Sequence, residues 1–326
     1  MRTLVTGASG FIGRRVVSQL AAHGHDVVAI TRNLNSAVIS RAPGVAWRSV
    51  KDFQSTVDWA PLLEGVDAIV HLAGIAHVLD RADETMLDRY HMVNVEASIA
   101  LARAAAAARI GRFVFMSSVR VHGDPSDETP LLESDRCEPV DAYGRSKLEA
   151  ERALARVGTE SGCQVVVLRA PLVYGPGVRA NFLRMIAWID RGWPLPFGAV
   201  ANRRSLVYID NLAASIERSL THPNAAGKTF LVSDGEDVST AELAKRIGIA
   251  LGRPARLINV PPRLMEWSLR CLGRGADYRR LFGSVAVDMS HLRAELGFKP
   301  PFNVQQGLAQ TARWYRHIVS QTHGAH

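Results

Sequence analysis

The sequence predicts an α/β fold: a doubly wound parallel sheet joined to a smaller mixed α/β lobe. Three observations predict it. Val-, Ile- and Leu-rich runs alternate with helix-like stretches up to about residue 170, as strands covered on both faces by crossover helices should. A glycine-rich turn joins the first run to the first helix. Beyond residue 170 the texture changes to Pro- and Gly-containing segments with periodic helices between them.

The first run, TLVTG (3–7), leads into a helix opening near Phe11. DVVAITR (26–32), AIVHLAG (68–74), RFVFMSS (112–118) and CQVVVLRA (163–170) repeat the pattern. IALARAAAAARIG (99–111) has high helix propensity and predicts a crossover helix ending at Gly111. DAYGRSKLEAE (141–151) predicts a helix starting near Asp141, a good N-cap. In the second half, PLVYGPG, GWPLPFGA and NVPPR surround helices such as TAELAKRIGIALG (240–252), while LVYIDNLAASI (206–216) is expected to return to the main sheet. The expected division is a sheet domain of residues 1–170 with 205–235, and a second lobe of residues 171–204 and 236–326. No internal repeat is found.

The chain has 326 residues, 47% hydrophobic and 21% charged, enough to bury one large core or two adjoining ones. No leader precedes the first strand and no window of about 18 apolar residues occurs, so neither secretion nor a membrane span is expected, and the cytoplasm is the expected compartment. Cys137, Cys163 and Cys271 are odd in number and far apart, which suggests neither a disulfide framework nor a metal site. The formal charge of +8 admits nucleic acid, a membrane surface or an anionic ligand. Scattered arginines without interleaved aromatics argue against nucleic acid and for a small anionic ligand.

TGASGFIG (6–13) places Gly7, Gly10 and Gly13 at three-residue spacing between a strand and a helix. Such glycines let backbone approach a pyrophosphate and aim a helix N-terminus at its charge, which predicts dinucleotide binding. An acid at the end of the second strand would favour NAD by binding the ribose and repelling a 2′-phosphate. This chain has Thr31 and Arg32 there, so NADP is preferred over NAD. Arg14, just inside the first helix, is expected on the surface.

Tyr143 and Lys147 stand at i and i+4 on one helix face. An ammonium about 4 Å from a phenol, at an effective dielectric of about 20, contributes about 4 kcal/mol. That equals about 3 pKa units, enough to bring a tyrosine from about 10 to about 7. Ser117 and Ser118 close the strand upstream.

Taken together, TGASGFIG, HLAG (71–74), Asn94 in MVNVEAS, Ser117-Ser118 and YGRSK resemble the extended short-chain dehydrogenase/reductase family, the nucleotide-sugar epimerases and dehydratases. The resemblance covers nearly the whole chain and implies a Rossmann-like fold. It implies that Ser118 and Tyr143 hydrogen-bond the reacting oxygen, that Tyr143 exchanges its proton, and that Lys147 binds the nicotinamide ribose. It adds Phe11, Ile12, Leu72, Ala73, Gly74, Asn94 and Pro171 to the cofactor-binding set, with Asn94 holding nearby backbone, although a helix-capping or loop asparagine fits its sequence context as well. VRANFLRMI (178–186) is similar to the segment that grips uridine diphosphate, mapping to Asn181 and Phe182. NRRSLVYIDNLA (202–213) is similar to R-x-[YF]-x-x-V-x-D-x-A, with Arg204 at the diphosphate-binding place and Arg203 expected on the surface. AVDMSHLRAELGFKPPF (286–302) resembles the family's closing stretch, departing at His291 and Phe298. Related folds dimerise through the tyrosine-bearing and alanine-rich helices, so a homodimer is expected.

Two departures select among reactions. Nucleotide-sugar 4,6-dehydratases carry an acid pair where this chain has Val119 and Arg120, and the decarboxylases' glutamate also falls on Arg120. Fucose-type epimerase-reductases want a cysteine at Val119. What remains is redox at one carbinol of a UDP-sugar: reduction of a UDP-4-keto-6-deoxy-hexosamine, as in UDP-N-acetylquinovosamine synthesis for bacterial polysaccharides, or a UDP-hexose 4-epimerase retaining NAD. SSVRVHG (117–123) followed by NFLRMIAWIDRGWPLPFGAVANRRSLV (181–207) resembles the epimerase-like branch that includes such reductases, and with Thr31-Arg32 this favours the reductase. Arg120 either touches substrate or points outward. A non-catalytic dinucleotide sensor is the alternative of a different class; the intact Tyr143 and Lys147 oppose it.

Overall fold

In the computed structural model, residues 1–35, 42–53, 56–76, 84–123, 129–271 and 282–323 are described. In β1 (Arg2–Thr6), Leu4 and Val5 are both fully buried, yet they belong to different cores on opposite sides of the strand. Side chains alternate along a strand, so a run with no polar face is covered twice. The same division recurs later in the sheet: Phe113 and Phe115 face one core, Val114 and Met116 the other.

The strands that follow are β2 (Asp26–Thr31), β3 (Val45–Ser49), β4 (Ala68–His71), β5 (Arg112–Ser118), β6 (Gln164–Ala170), β7 (Leu172–Tyr174), β8 (Arg204–Tyr208), β9 (Thr229–Leu231) and β10 (Asp237–Val238). Seven form a parallel sheet in the order β3-β2-β1-β4-β5-β6-β9. This is the Rossmann-like α/β architecture. A second sheet of order β10-β8-β7 mixes one parallel and one antiparallel pairing.

One face of the main sheet carries α1 (Phe11–Ala22) and, from the second half of the chain, the helix Ile209–Thr221. Arg15 grips Asp210 with two parallel bonds between these helices, Nε to Oδ1 at 2.5 Å and Nη2 to Oδ2 at 2.9 Å. The opposite face carries α2 (Glu84–Tyr90), a π-helical segment (His91–Glu96), α3 (Ala97–Ala107) and α4 (Ala142–Ser161). Asp141 caps α4 by accepting from the Gly144 N–H at 2.6 Å, as its sequence predicts, and Gly162 closes the helix in the left-handed conformation. The second lobe is built from α5 (Ala180–Asp190), α7 (Thr240–Leu251), α8 (Pro262–Cys271) and two later helices, α9 (Ser290–Leu296) and α10 (Val304–His323), where α6 denotes Ile209–Thr221.

Three details differ from the sequence reading. The alanine-rich helix stops at Ala107 rather than Gly111, because Arg109 turns left-handed (φ 56°) and delivers Ile110 into the core. The strand in LVYIDNLAASI joins the small sheet through β7 and β10, while α6 and β9 return to the main layer. β3 was not anticipated: VAWRS is an edge strand, half-exposed, without a doubly buried run. Among the described residues, no helix is long and apolar enough to cross a membrane.

A Cβ on Gly13 would lie 2.1 Å from the Gly7 carbonyl oxygen, whereas one on Gly162 would meet open space. Gly13→Ala is expected to cost about 3–5 kcal/mol by forcing backbone apart. Gly162→Ala should cost only about 1 kcal/mol, for its left-handed φ. Urea unfolding of both variants checks the contrast; equal losses would refute the packing argument.

Candidate active site

The strand order reverses between β1 and β4, opening a crevice at the carboxyl ends of those strands. Gly7 turns the chain there with φ 65°, and a Cβ on it would meet Ala73 N at 2.8 Å and the Leu72 carbonyl carbon at 2.9 Å. Gly10 is the N-cap of α1; no side chain caps this end, and its first turn carries no acid. Free N–H groups and the positive end of a helix are thereby left facing the crevice, and the cradle fits a pyrophosphate.

The other expected cofactor residues surround this cradle in different ways. Ile12 packs on the core beside Val5, while Phe11 leans on the second-lobe core. Leu72 and buried Ala73 follow β4, and exposed Gly74 lies so close to Asn94 that a Cβ would stand 3.0 Å from its Oδ1. Pro171 is buried between β6 and β7. Thr31 is buried and its hydroxyl donates to Ser9 Oγ at 3.0 Å, tying β2 to the glycine turn; Arg32 is exposed beside it. Arg14 is half-buried rather than on the open surface, with its guanidinium near Gly177.

Beneath the crevice runs a file of buried polar groups, of which sequence reading singled out only Asn94. The Thr6 hydroxyl accepts the Leu72 and Ala73 N–H groups, both at 3.2 Å, and meets His71 Nδ1 at 2.7 Å. His71 Nε2 meets Ser98 Oγ at 2.8 Å, and Ser98 donates to the Asn94 carbonyl at 2.7 Å. Because the serine proton is spent on that carbonyl, its oxygen accepts, so His71 carries its proton on Nε2 and Nδ1 accepts from Thr6. Burial, then the nearby Lys147 charge, push the His71 pKa down to about 3, which keeps this tautomer neutral. Asn94 stands on the π-helical segment. Its Oδ1 accepts from Ile75 N at 2.8 Å, and its Nδ2 donates to Ile75 O at 3.1 Å and to Ser146 Oγ at 3.0 Å. Ser146 in turn donates to the Tyr143 carbonyl at 2.8 Å. Asn94 is therefore a clamp between the loop after β4 and α4, not a helix cap. The signal available in the sequence was a histidine inside an otherwise apolar strand.

Ser118 ends β5 and Tyr143 occupies the first turn of α4, with the Tyr90 ring 6.3 Å from its own. Lys147 is buried one turn later; its ammonium donates to the Met116 carbonyl at 2.9 Å and lies 4.6 Å from the centre of the Phe115 ring. The expectation that Lys147 brings the phenol to about 7 does not hold. Burial dominates and pushes the Tyr143 pKa up to about 12, against the opposing pull of the Ser118 hydroxyl and the Arg120 guanidinium. Burial also lowers Lys147 to about 8, so the cation is itself weakened by the desolvation that the simple charge estimate omits.

Arg120 folds back onto Asp141, so the N-cap of the tyrosine helix is held by the segment following Ser118. At the start of β8, burial and then the charge of Arg120 lower the pKa of Arg204. Val119 beside Arg120 is buried and apolar. Ser117 points away and donates to Glu151, a buried carboxylate that also holds Arg169 at 2.7 Å. In the second lobe Asn181 is exposed in the first turn of α5, accepting from Arg184. Phe182 is a core residue stacked 5.5 Å from Tyr174, which leaves only its backbone to the cleft. Arg203 is exposed and pairs with Asp237 at 2.9 Å.

Lys147 has a folded pKa below its unfolded value, so the fold favours its neutral form and bears the burial cost below pH 8. Lys147→Met, which keeps length and loses charge, should stabilise the apoprotein by about 1–2 kcal/mol at pH 7. That advantage should vanish as pH rises from about 8 to about 10.5, where the unfolded wild type also loses its proton. Urea denaturation across this range reads it; an advantage independent of pH would contradict the assignment.

Comparison with known proteins places these features. The model of the NAD dependent epimerase/dehydratase family matches residues 3–233. A UDP-glucose 4-epimerase of Vibrio cholerae is 37% identical over 312 residues, covering 95% of this chain and 94% of the relative. A UDP-glucose 4-epimerase of Mycolicibacterium smegmatis is 30% identical, covering 97% and 99%. Among solved structures, MoeE5 in complex with UDP-glucuronic acid and NAD superposes with a TM-score of 0.79 at 25% identity, covering 98% of this chain and 100% of the other. With the glycine turn, the Ser118, Tyr143 and Lys147 cluster and the two-lobed architecture all in place, the chain belongs to the NAD-dependent epimerase/dehydratase family, within the extended short-chain dehydrogenases/reductases.

Proposed function

We propose that the chain is an NADP-preferring oxidoreductase that reduces the C4 ketone of a UDP-4-keto-6-deoxy-hexosamine, with Ser118, Tyr143 and Lys147 as its catalytic residues. The observation that carries this reading is that, among the described residues, the positions beside Ser118 and Tyr143 offer no spare carboxylate: Val119 is apolar, Arg120 is a cation, and Asp141 is engaged in capping α4 and holding Arg120. Elimination of water needs a second acid–base group at those places. Redox at one carbinol needs only a hydrogen-bond donor, a proton donor and the cofactor.

Bound in the glycine cradle, the nicotinamide dinucleotide supplies the hydride. Ser118 orients the C4 oxygen by a hydrogen bond. Tyr143, whose phenol is held protonated by its pKa of about 12, gives its proton to that oxygen as the ketone becomes an alcohol. Lys147 holds the ribose hydroxyls and, once substrate and cofactor fill the crevice, offsets the charge left on the phenol oxygen. Arg32, exposed at the end of β2 where an acid would select NAD, would hold an adenosine 2′-phosphate. The N-terminal turn of α5 at Asn181 and the backbone of Phe182, with Arg204, receives the uridine diphosphate, and Arg120 borders the sugar. α3 and α4 lie side by side on one face and would form the four-helix interface of a cytoplasmic homodimer.

A second reading, 4-epimerisation of a UDP-hexose with retained NAD, is favoured by the Vibrio cholerae and Mycolicibacterium smegmatis relatives, both named UDP-glucose 4-epimerase. It uses the same residues but must begin with the phenolate.

Purified protein offered the keto-sugar should oxidise NADPH with kcat/KM at least about tenfold above NADH, and Arg32→Asp should erase that preference. Tyr143→Phe should lower turnover by about a thousandfold while cofactor binding persists. Interconversion of UDP-glucose or UDP-GlcNAc without added cofactor, and no oxidation of NADPH by the keto-sugar, would establish the epimerase instead; a Tyr143→Phe protein unchanged in every respect would leave only a dinucleotide sensor.

A further inference from the structure

On the second lobe, tryptophans and aliphatic side chains stand unusually open. Trp193 is 52% exposed, Ile258 51%, Leu264 53% and Trp267 63%. They belong to one stretch of surface. Trp188 at the end of α5 stacks with Trp193 at 6.5 Å, and two residues on, Leu195 exchanges backbone bonds of 2.8 Å with Arg256 and Ile258. Four residues after Ile258, α8 begins, and Leu264 and Trp267 lie one turn apart on its outer side while Met265 faces the core.

Around this surface arginines outnumber acids. Arg191 covers the Trp193 ring at 5.6 Å, and Arg253 and Arg256 reach the carbonyls of Asp190 and Gly192, fixing their guanidinium groups at its edge. Arg263 and Arg270 are exposed on α8. In these segments the acids are already engaged: Glu266 pairs with Arg270 at 2.6 Å, and Asp190 receives the Tyr315 hydroxyl at 3.4 Å.

We propose that this aromatic and basic face docks on an anionic lipid bilayer, with Trp193, Ile258, Leu264 and Trp267 entering the headgroup boundary and the arginines binding lipid phosphates. Tryptophan suits that boundary because its ring is apolar while its N–H stays wet, and arginine buries its stem while its charge remains outside. A basic, amphipathic surface helix is the element that lies in such an interface. A second copy is a poor occupant, since a self-complementary contact would set an arginine-rich face against itself while its acids, Glu266 and Asp190, are already engaged. Aliphatic side chains gain nothing from stacking on nucleic-acid bases.

The test is flotation of the full-length protein with vesicles of phosphatidylcholine, alone or with about 30 mol % phosphatidylglycerol. Wild type should float with the anionic vesicles and not with the neutral ones, and about 0.5 M salt should release it. Trp193→Ser/Trp267→Ser should lose about tenfold in partitioning, and Arg256→Glu/Arg263→Glu should lose it by a similar factor. Both should keep the far-ultraviolet spectrum and dinucleotide binding of wild type. The proposal fails if wild type does not float with anionic vesicles, if the tryptophan variant floats equally well, or if that variant instead converts a vesicle-free dimer to monomer, which would make the face an interface between copies.

Discussion

The first-lobe side of the candidate site is tied together by the hydrogen-bonded file from Thr6 through His71, Ser98 and Asn94 to Ser146. It joins the glycine turn, the loop after β4, the π-helical segment and the helix that bears Tyr143. Each hydroxyl has one proton to give and each is committed in one direction, so the file has a single consistent arrangement, and that arrangement requires a neutral histidine. A buried polar chain of this kind is tolerable only when every member is satisfied. Its rigidity then fixes the distance between the place where a pyrophosphate would rest and the place where a proton would move.

The same burial that orders the site makes it electrostatically costly. Lys147 sits in an environment that favours its neutral form, Tyr143 in one that favours its phenol, and Arg204 in one that opposes its charge. The first and third cost the protein stability at neutral pH, whereas the phenol is the form a tyrosine carries there in any case. An anionic group brought beside Lys147 or Arg204 would offset that cost. The protein thus holds its polar groups in a state that binding improves.

How much of this was legible in the sequence depended on the range over which the determining contacts act. The runs that became β1, β2, β4, β5 and β6 were plain because strands covered on both faces leave an uninterrupted apolar signature. β3 lacks that signature and was missed. The α4 cap at Asp141 and the glycine turn are local chemistry and could be read directly. The Thr6–His71 and His71–Ser98 bonds join residues 65 and 27 positions apart, which no local pattern reports. The behaviour of Tyr143 was misjudged for a related reason: spacing gave the cation's proximity but not the burial that outweighs it. Likewise, the LVYIDNLAASI strand carried the right propensity, yet only its packing partners decided which sheet it entered.

The π-helical segment from His91 to Glu96 shows how a change of length could reshape this protein without altering any residue that touches a ligand. A π turn is an α-helix holding one residue too many. Losing that residue would let the helix regularise, turning everything before it by about 100° relative to everything after. Asn94 could not then face both Ile75 and Ser146, and the Tyr90 ring would swing from beside Tyr143. Within this helix, a one-residue deletion would be a more drastic edit than most substitutions, and the number of residues between Tyr90 and Ser98 is itself part of the site's specification.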